Sequence, residues 1–123
     1  MSKHFSPDEM RCRCSRVQCD ALPEVSPRLL DRLEIVRDLY GRPMPVRSGL
    51  RCGYWNALSG GVKESEHVMG EAVDIACETA QDRYELLTAG VRAFHRIGIG
   101  RTFLHFGCGE GHPPRVAWLY GPA

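Results

Sequence analysis

Apolar positions follow two rhythms along this chain. Between Ser26 and Gly41, Leu29, Leu30, Leu33, Val36 and Leu39-Tyr40 recur at the three-to-four-residue spacing of a single helical face. Ser26-Pro27 has the order of an N-cap and a first-turn proline, and Gly41 with Pro43 supplies the stop. The same rhythm returns from Thr79 to Arg96, where Thr79 can cap and Tyr84, Leu87, Val91 and Phe94, with Leu86 and Ala93, form the expected buried face. His95, near the end of that stretch, suits a helix C-terminus, where positive charge is mildly favoured. A short helix or turn is expected at Tyr54–Leu58, with Asn56 placed to pin the following Gly60-Gly61 loop or to make an ordinary turn.

Elsewhere the period shortens to two. Ala72-Val73-Asp74-Ile75 alternates small or polar residues with β-branched ones, and Thr102–Phe106 sets Leu104 and Phe106 against Phe103 and His105. Val116, Trp118 and Tyr120 share one face of a final strand, and Met44–Ser48 is a short extended piece ending at Gly49. Two long helices with short one-sided strands predict an α+β fold: a small antiparallel sheet with the helices on one face and the polar positions on the other. No repeat or linker divides residues 1–123, so one domain is expected, opening with an irregular, proline-punctuated arm over 1–25.

The polar positions carry the chemistry. His67, Asp74 and His105 offer two imidazoles and a carboxylate, a donor set that suits Zn²⁺ and leaves a fourth position for water. One helix cannot present both His67 and Asp74, because seven residues span about 10.5 Å of helix axis while ligands of one zinc lie within roughly 3.5 Å of each other. Gly70 breaks the segment between them. Asp74 and His105 on neighbouring strands would instead stand roughly 5 Å apart across the sheet, with His67 arriving from the preceding loop. The plainer alternative is a turn-capping histidine, a sheet histidine and a solvated carboxylate.

The stretch upstream resembles a known family. Ser48-Gly49-Leu50-Arg51-Cys52, Asn56, Gly60-Gly61-Val62-Lys63-Glu64-Ser65-Glu66-His67, Gly70, Ala72 and Asp74-Ile75 are similar to the signature of the zinc D-Ala-D-Ala carboxypeptidase-like peptidases of family M15. The likeness is to the short murein peptidases of bacteriophages and prophages, and it extends from Phe5–Met10 with Cys12 to Trp118 and Tyr120. It implies the hedgehog/D-Ala-D-Ala-peptidase-like fold, His67, Asp74 and His105 as ligands of one catalytic zinc, and Arg51 facing a substrate carbonyl or carboxylate. Ser65 and Trp118 join Arg51 as expected substrate contacts. An always-charged planar fork at Arg51 also fits a peptide carboxylate or a developing oxyanion on its own chemistry.

One feature departs from that family. A zinc peptidase needs a proton carrier, and the family places an acid three residues before the last histidine or two after it. Those positions are Thr102 and Gly107 here. The expected replacements are Glu110 and His112, in the glycine-rich loop 108–114, with Glu66 and Glu71 as weaker options.

Composition narrows the function further. The chain has 123 residues, 16 basic against 15 acidic and a net charge of +1, which gives no broad basic surface for nucleic acid. No stretch approaches the 18 or so apolar residues of a membrane span and no apolar leader is visible. The expected behaviour is that of a monomer, cytoplasmic when synthesised, reaching the wall by phage-type release or as a virion component. Six cysteines are many for a reduced compartment. Cys12, Cys14 and Cys19 cluster, and the readings are free thiols, a disulfide tying the N-terminal arm to the body, or a second structural zinc held by these three with a fourth ligand such as Cys52 or His4. Cys77 reads as a small core residue, and Cys108 stands near enough to His105 to be a fortuitous extra ligand.

The sequence therefore predicts a zinc metallopeptidase acting on peptidoglycan peptide stems. A catalytically weak zinc-binding homologue, serving as a phage structural or wall-binding module, is the alternative from another class.

Overall fold

The computed structural model describes residues 2–14, 19–59 and 65–121. Gly60–Glu64, on which part of the family signature and the Gly60-Gly61 loop fall, lie outside the described residues. The elements in chain order are α1 (Pro7–Met10), α2 (Pro27–Tyr40), β1 (Val46–Ser48), α3 (Gly53–Leu58), β2 (Ala72–Ala76), α4 (Ala80–Gly90), β3 (Arg96–Ile99), β4 (Phe103–Gly107) and β5 (Val116–Leu119).

The α2 helix forms as its pattern predicts. Ser26 Oγ accepts from Leu29 N, Pro27 opens the first turn, and Gly41 closes the helix in the left-handed conformation at φ +74°. Leu29, Leu33 and Val36 are fully buried, whereas Leu39, expected in the stripe, is exposed. The arm is less irregular than expected: Ser6 and Glu9 form a reciprocal capping box around α1. Phe5, Met10 and Val25 anchor the arm in the core.

The second long helix differs from its prediction in extent and face. It ends at Gly90, so His95 lies beyond it and just before β3. Leu86, Ala89 and Gly90 are buried, with Ala93 and Phe94 in the turn that follows, while Tyr84 and Val91 are 71% and 53% exposed. The inward phase is set by a close approach: a Cβ on Gly90 would lie 2.3 Å from the Phe106 ring. Phe106 in turn stacks on Phe94, with ring centroids 5.0 Å apart.

The sheet has the order β1-β2-β4-β3-β5. Its first four strands are antiparallel, but β5 pairs parallel to β3, so the sheet is mixed and not wholly antiparallel. The chain reverses after β4 and joins the far side of β3, and a strand added there necessarily runs in the direction of β3. Val73 and Ile75 of β2 and Leu104 and Phe106 of β4 enter the helix-side core. Strand alternation then puts Asp74, Phe103 and His105 on the opposite face. β5 adds little to the core, since Val116, Leu119 and Tyr120 are exposed. Cys77 is buried in the core as expected.

Candidate metal centre and cleft

Asp74 and His105 are direct register partners on β2 and β4, so the sheet itself sets their separation. His67 comes from the turn at 66–70, which Gly70 closes with φ +71°, a backbone state that favours glycine. Gly70 also lies against Val25 and Leu50, leaving no room for a Cβ without adjustment.

Both histidines point at the same carboxylate oxygen. His67 Nε2 is 3.2 Å and His105 Nδ1 3.0 Å from Asp74 Oδ1. All three side chains are buried, with exposures of 2%, 4% and 7% for His67, His105 and Asp74. One donor atom from each lies within 4.8 Å of the others. Ligands of a common zinc, at about 2.0 to 2.2 Å from it, stand roughly 3.4 Å apart, so the present spacing requires little rearrangement.

The far nitrogens of both rings are also engaged. His67 Nδ1 is 2.7 Å from Gly49 O, and His105 Nε2 is 3.1 Å from Glu66 Oε1. A carbonyl or a carboxylate accepts only from an N–H, which assigns the protons to His67 Nδ1 and His105 Nε2. The remaining lone pairs then converge with the Asp74 carboxylate on one point. That convergence is repulsive unless a proton or a cation stands among the three groups, and the donor set fits a divalent metal of zinc's softness.

Without an ion, that place is taken by a ring proton that bonds to the carboxylate. Burial pushes the Asp74 carboxyl up, but hydrogen bonds to His105 and His67 outweigh it and hold it well below the usual carboxylate range. His105 shows the converse: burial lowers its pKa, and Asp74 and Glu66 together raise it above the ordinary histidine value. Glu66 is pushed up by burial, yet His105, the Gly109 amide and the Arg96 guanidinium bring it to about 2. Its Oε2 accepts from Gly109 N at 2.8 Å, and Arg96 Nε lies 3.0 Å from its Oε1.

Glu66 occupies space that Gly107 leaves open. A Cβ on Gly107 would fall 2.3 Å from Glu66 Oε2 and 2.4 Å from Oε1. The space beside Gly107 is thus filled by a carboxylate from another element, lying behind His105. Glu66 is only a weak candidate from the sequence, because nothing in its spacing relates it to a residue 39 positions away. The available signal was the loss of a side chain at Gly107 together with an acid adjoining His67.

Arg51 is fixed by three contacts. Its guanidinium donates to Ser48 Oγ at 3.1 Å, Asn56 Oδ1 at 3.3 Å and Asp74 Oδ2 at 3.3 Å. Asn56 therefore anchors Arg51, and Arg51 holds the Asp74 oxygen that faces away from the histidines. Ser65 Oγ accepts from His67 N at 3.1 Å, which ties down the backbone of the donor turn.

These groups line a cleft of about 510 Å³, with Arg51, Ser65, Glu66, His112 and Trp118 on its walls around the donors. The Trp118 ring centroid is 5.3 Å from that of His105. It reaches there because Gly98, the register partner of His105 on β3, has no side chain: a Cβ would lie 2.7 Å from Trp118 Nε1. Of the loop residues expected to carry protons, His112 is on the cleft and Glu110 is not. Glu110 is 80% exposed and pairs with Arg28 at 2.9 Å; Arg28 also binds Glu71 and the Cys108 carbonyl. Thr102 bonds Arg47 away from the donors. Cys108 joins no donor group among the described residues.

Fold and donor set together define an α+β domain with a buried two-histidine, one-carboxylate group opening into a cleft. A family model described as Peptidase M15 matches residues 3–106, and the chain belongs to that family. No curated protein matches the chain.

Proposed function

We propose that this protein is a zinc peptidase that hydrolyses the peptide stems or cross-links of bacterial peptidoglycan, as a carboxypeptidase or an endopeptidase. The observation that carries the reading is the convergence of His67 Nε2, Asp74 Oδ1 and His105 Nδ1 on one point at an open cleft, in a Peptidase M15 chain. Zinc held there would polarise a carbonyl and lower the pKa of a water.

The chain's own residues supply the rest. Gly49 O and Glu66 fix the two rings, so their metal-side nitrogens are aimed before any ion arrives. Arg51, locked to Ser48, Asn56 and Asp74, presents a fixed positive charge where a stem-peptide carboxylate or a developing oxyanion sits. Ser65 and Trp118 line the substrate's path. His112 is the cleft imidazole that takes the proton from the attacking water and returns it to the leaving amine. Glu66 serves as a positioning residue, because its carboxylate lies against the ring nitrogen opposite the donor side.

The zinc-loaded protein should release new amino groups from purified peptidoglycan, identified by mass, and a chelator should stop the release. His112→Ala should lower turnover by about 10² to 10⁴, and Glu110→Ala should leave it near wild type. Bound zinc without any product would defeat the hydrolase reading in favour of a wall-binding or structural module. That second reading is favoured by Thr102 and Gly107 standing where the resemblance calls for an acid.

A further inference from the structure

We propose that Cys12, Cys14, Cys19 and Cys52 hold a second, structural zinc ion that clamps the N-terminal arm to the segment carrying Arg51. The proposal does not depend on the peptidase reading. One sulfur from each of the four lies within 4.8 Å of every other, and all four are free thiols. Four thiolates about 2.3 Å from a tetrahedral zinc stand roughly 3.8 Å apart, so the set closes on an ion with a small contraction. A disulfide joins sulfurs in pairs at about 2.05 Å, whereas these four gather around one centre.

Two backbone amides point at the sulfurs as they do around metal thiolates. Cys52 N donates to Cys12 Sγ at 3.3 Å, and Trp55 N donates to Cys52 Sγ at 3.3 Å. Four soft donors leave no open position, which marks a structural site and not a catalytic one. Each thiol that binds releases its proton to solvent. His4, the other possible fourth ligand, is taken up elsewhere, with Nδ1 2.6 Å from Glu34 Oε1.

The location gives the clamp its purpose. Cys12, Cys14 and Cys19 themselves lie outside the helices and strands, and the fourth ligand, Cys52, follows Arg51 directly. Leu50 N donates to Met10 O at 2.7 Å, and a Cβ on Gly49 would meet that same oxygen at 2.8 Å. The clamp thus presses the arm onto the 49–52 segment, whose Gly49 carbonyl orients His67 and whose Arg51 holds Asp74.

The test uses the full chain, purified under reducing conditions and loaded with zinc or cobalt. The expected result is about two zinc ions per chain, falling to about one in Asp74→Ala and to about one in the Cys14→Ser/Cys19→Ser double variant. Cobalt-loaded Asp74→Ala should keep an intense sulfur-to-metal charge-transfer band, and the cysteine double variant should lose it. Alkylation followed by mass mapping covers the case in which the double variant fails to fold. In the wild-type protein, exposed Cys19 and half-buried Cys14 should resist alkylation with zinc bound and react once it is chelated. Cysteines that alkylate equally with and without zinc, a cobalt protein with no thiolate band, or a native mass showing two disulfides would each overturn the proposal. Failure of peptidoglycan turnover with two zinc ions retained would instead count against the peptidase reading alone.

Discussion

The two donor clusters are built from different materials. His67, Asp74 and His105 stand on the turn before β2, on β2 and on β4, more than nine-tenths buried, each held by a hydrogen bond independent of any ion. The four cysteines grade from fully buried Cys52 to exposed Cys19, and three of them lie on backbone without regular structure. A group that performs chemistry has to be aimed while one side stays open to substrate. A group that staples has only to close. The sheet supplies the aim in the first case, and the sulfurs themselves supply the closure in the second.

Removing a sheet donor should have the largest effect. His67→Ala or Asp74→Ala should abolish peptidoglycan turnover and leave the secondary structure by circular dichroism intact; turnover surviving in both would break the distinction between aimed and stapling clusters. Next in size is Glu66→Gln, which keeps the shape behind His105 but removes its charge. Loss of such an orienting partner commonly costs 10- to 100-fold in metal affinity, and competition against a chelator of known affinity would measure it. An unchanged affinity would assign Glu66 a packing role only.

Gly107→Ala tests the same place sterically. Its Cβ meets the Glu66 carboxylate, so thermal unfolding should show a loss of about 1 to 3 kcal/mol typical of overpacking. A smaller effect is expected from pH on the metal-free protein. Glu66 titrates near 4.5 when unfolded and at about 2 when folded. A lowered folded pKa means that its contribution is complete above the unfolded value and is lost as pH falls from about 4.5 towards 2. Glu66→Gln should flatten that part of the stability profile, and an unaltered slope would contradict the ionised Glu66 described above. Smallest of all, Tyr84→Ser should change stability by less than about 0.5 kcal/mol because the ring is exposed. A loss of several kcal/mol would restore the helix face read from the sequence.

Local order was legible wherever a single period governed it. Ser26, Pro27 and Gly41 bound α2 as expected, and the alternation around Asp74 and His105 placed both on the face away from the helices. Reading failed where contact depended on a missing side chain. In α4 the inward line runs through Gly90, which a hydropathy pattern does not count as apolar, so Tyr84 and Val91 were assigned to the core in its place. Trp118 reaches the cleft through the bare backbone of Gly98, and Glu66 reaches His105 through that of Gly107. The parallel pairing of β5 was equally hidden, since the alternation of Val116, Trp118 and Tyr120 is identical for either strand direction.

The exchange between Gly107 and Glu66 has a consequence for how such domains are compared. In this chain the negative charge behind His105 sits in the volume that Gly107 leaves open, and Glu66 delivers it. A chain with its acid at 107 and glycine at 66 would differ at both positions while filling the same volume, and alignment by spacing would score the two as unlike just where their charges coincide. A reciprocal swap, with glycine at 66 and glutamate at 107, is the redesign that leaves the charge in place while rewriting the signature.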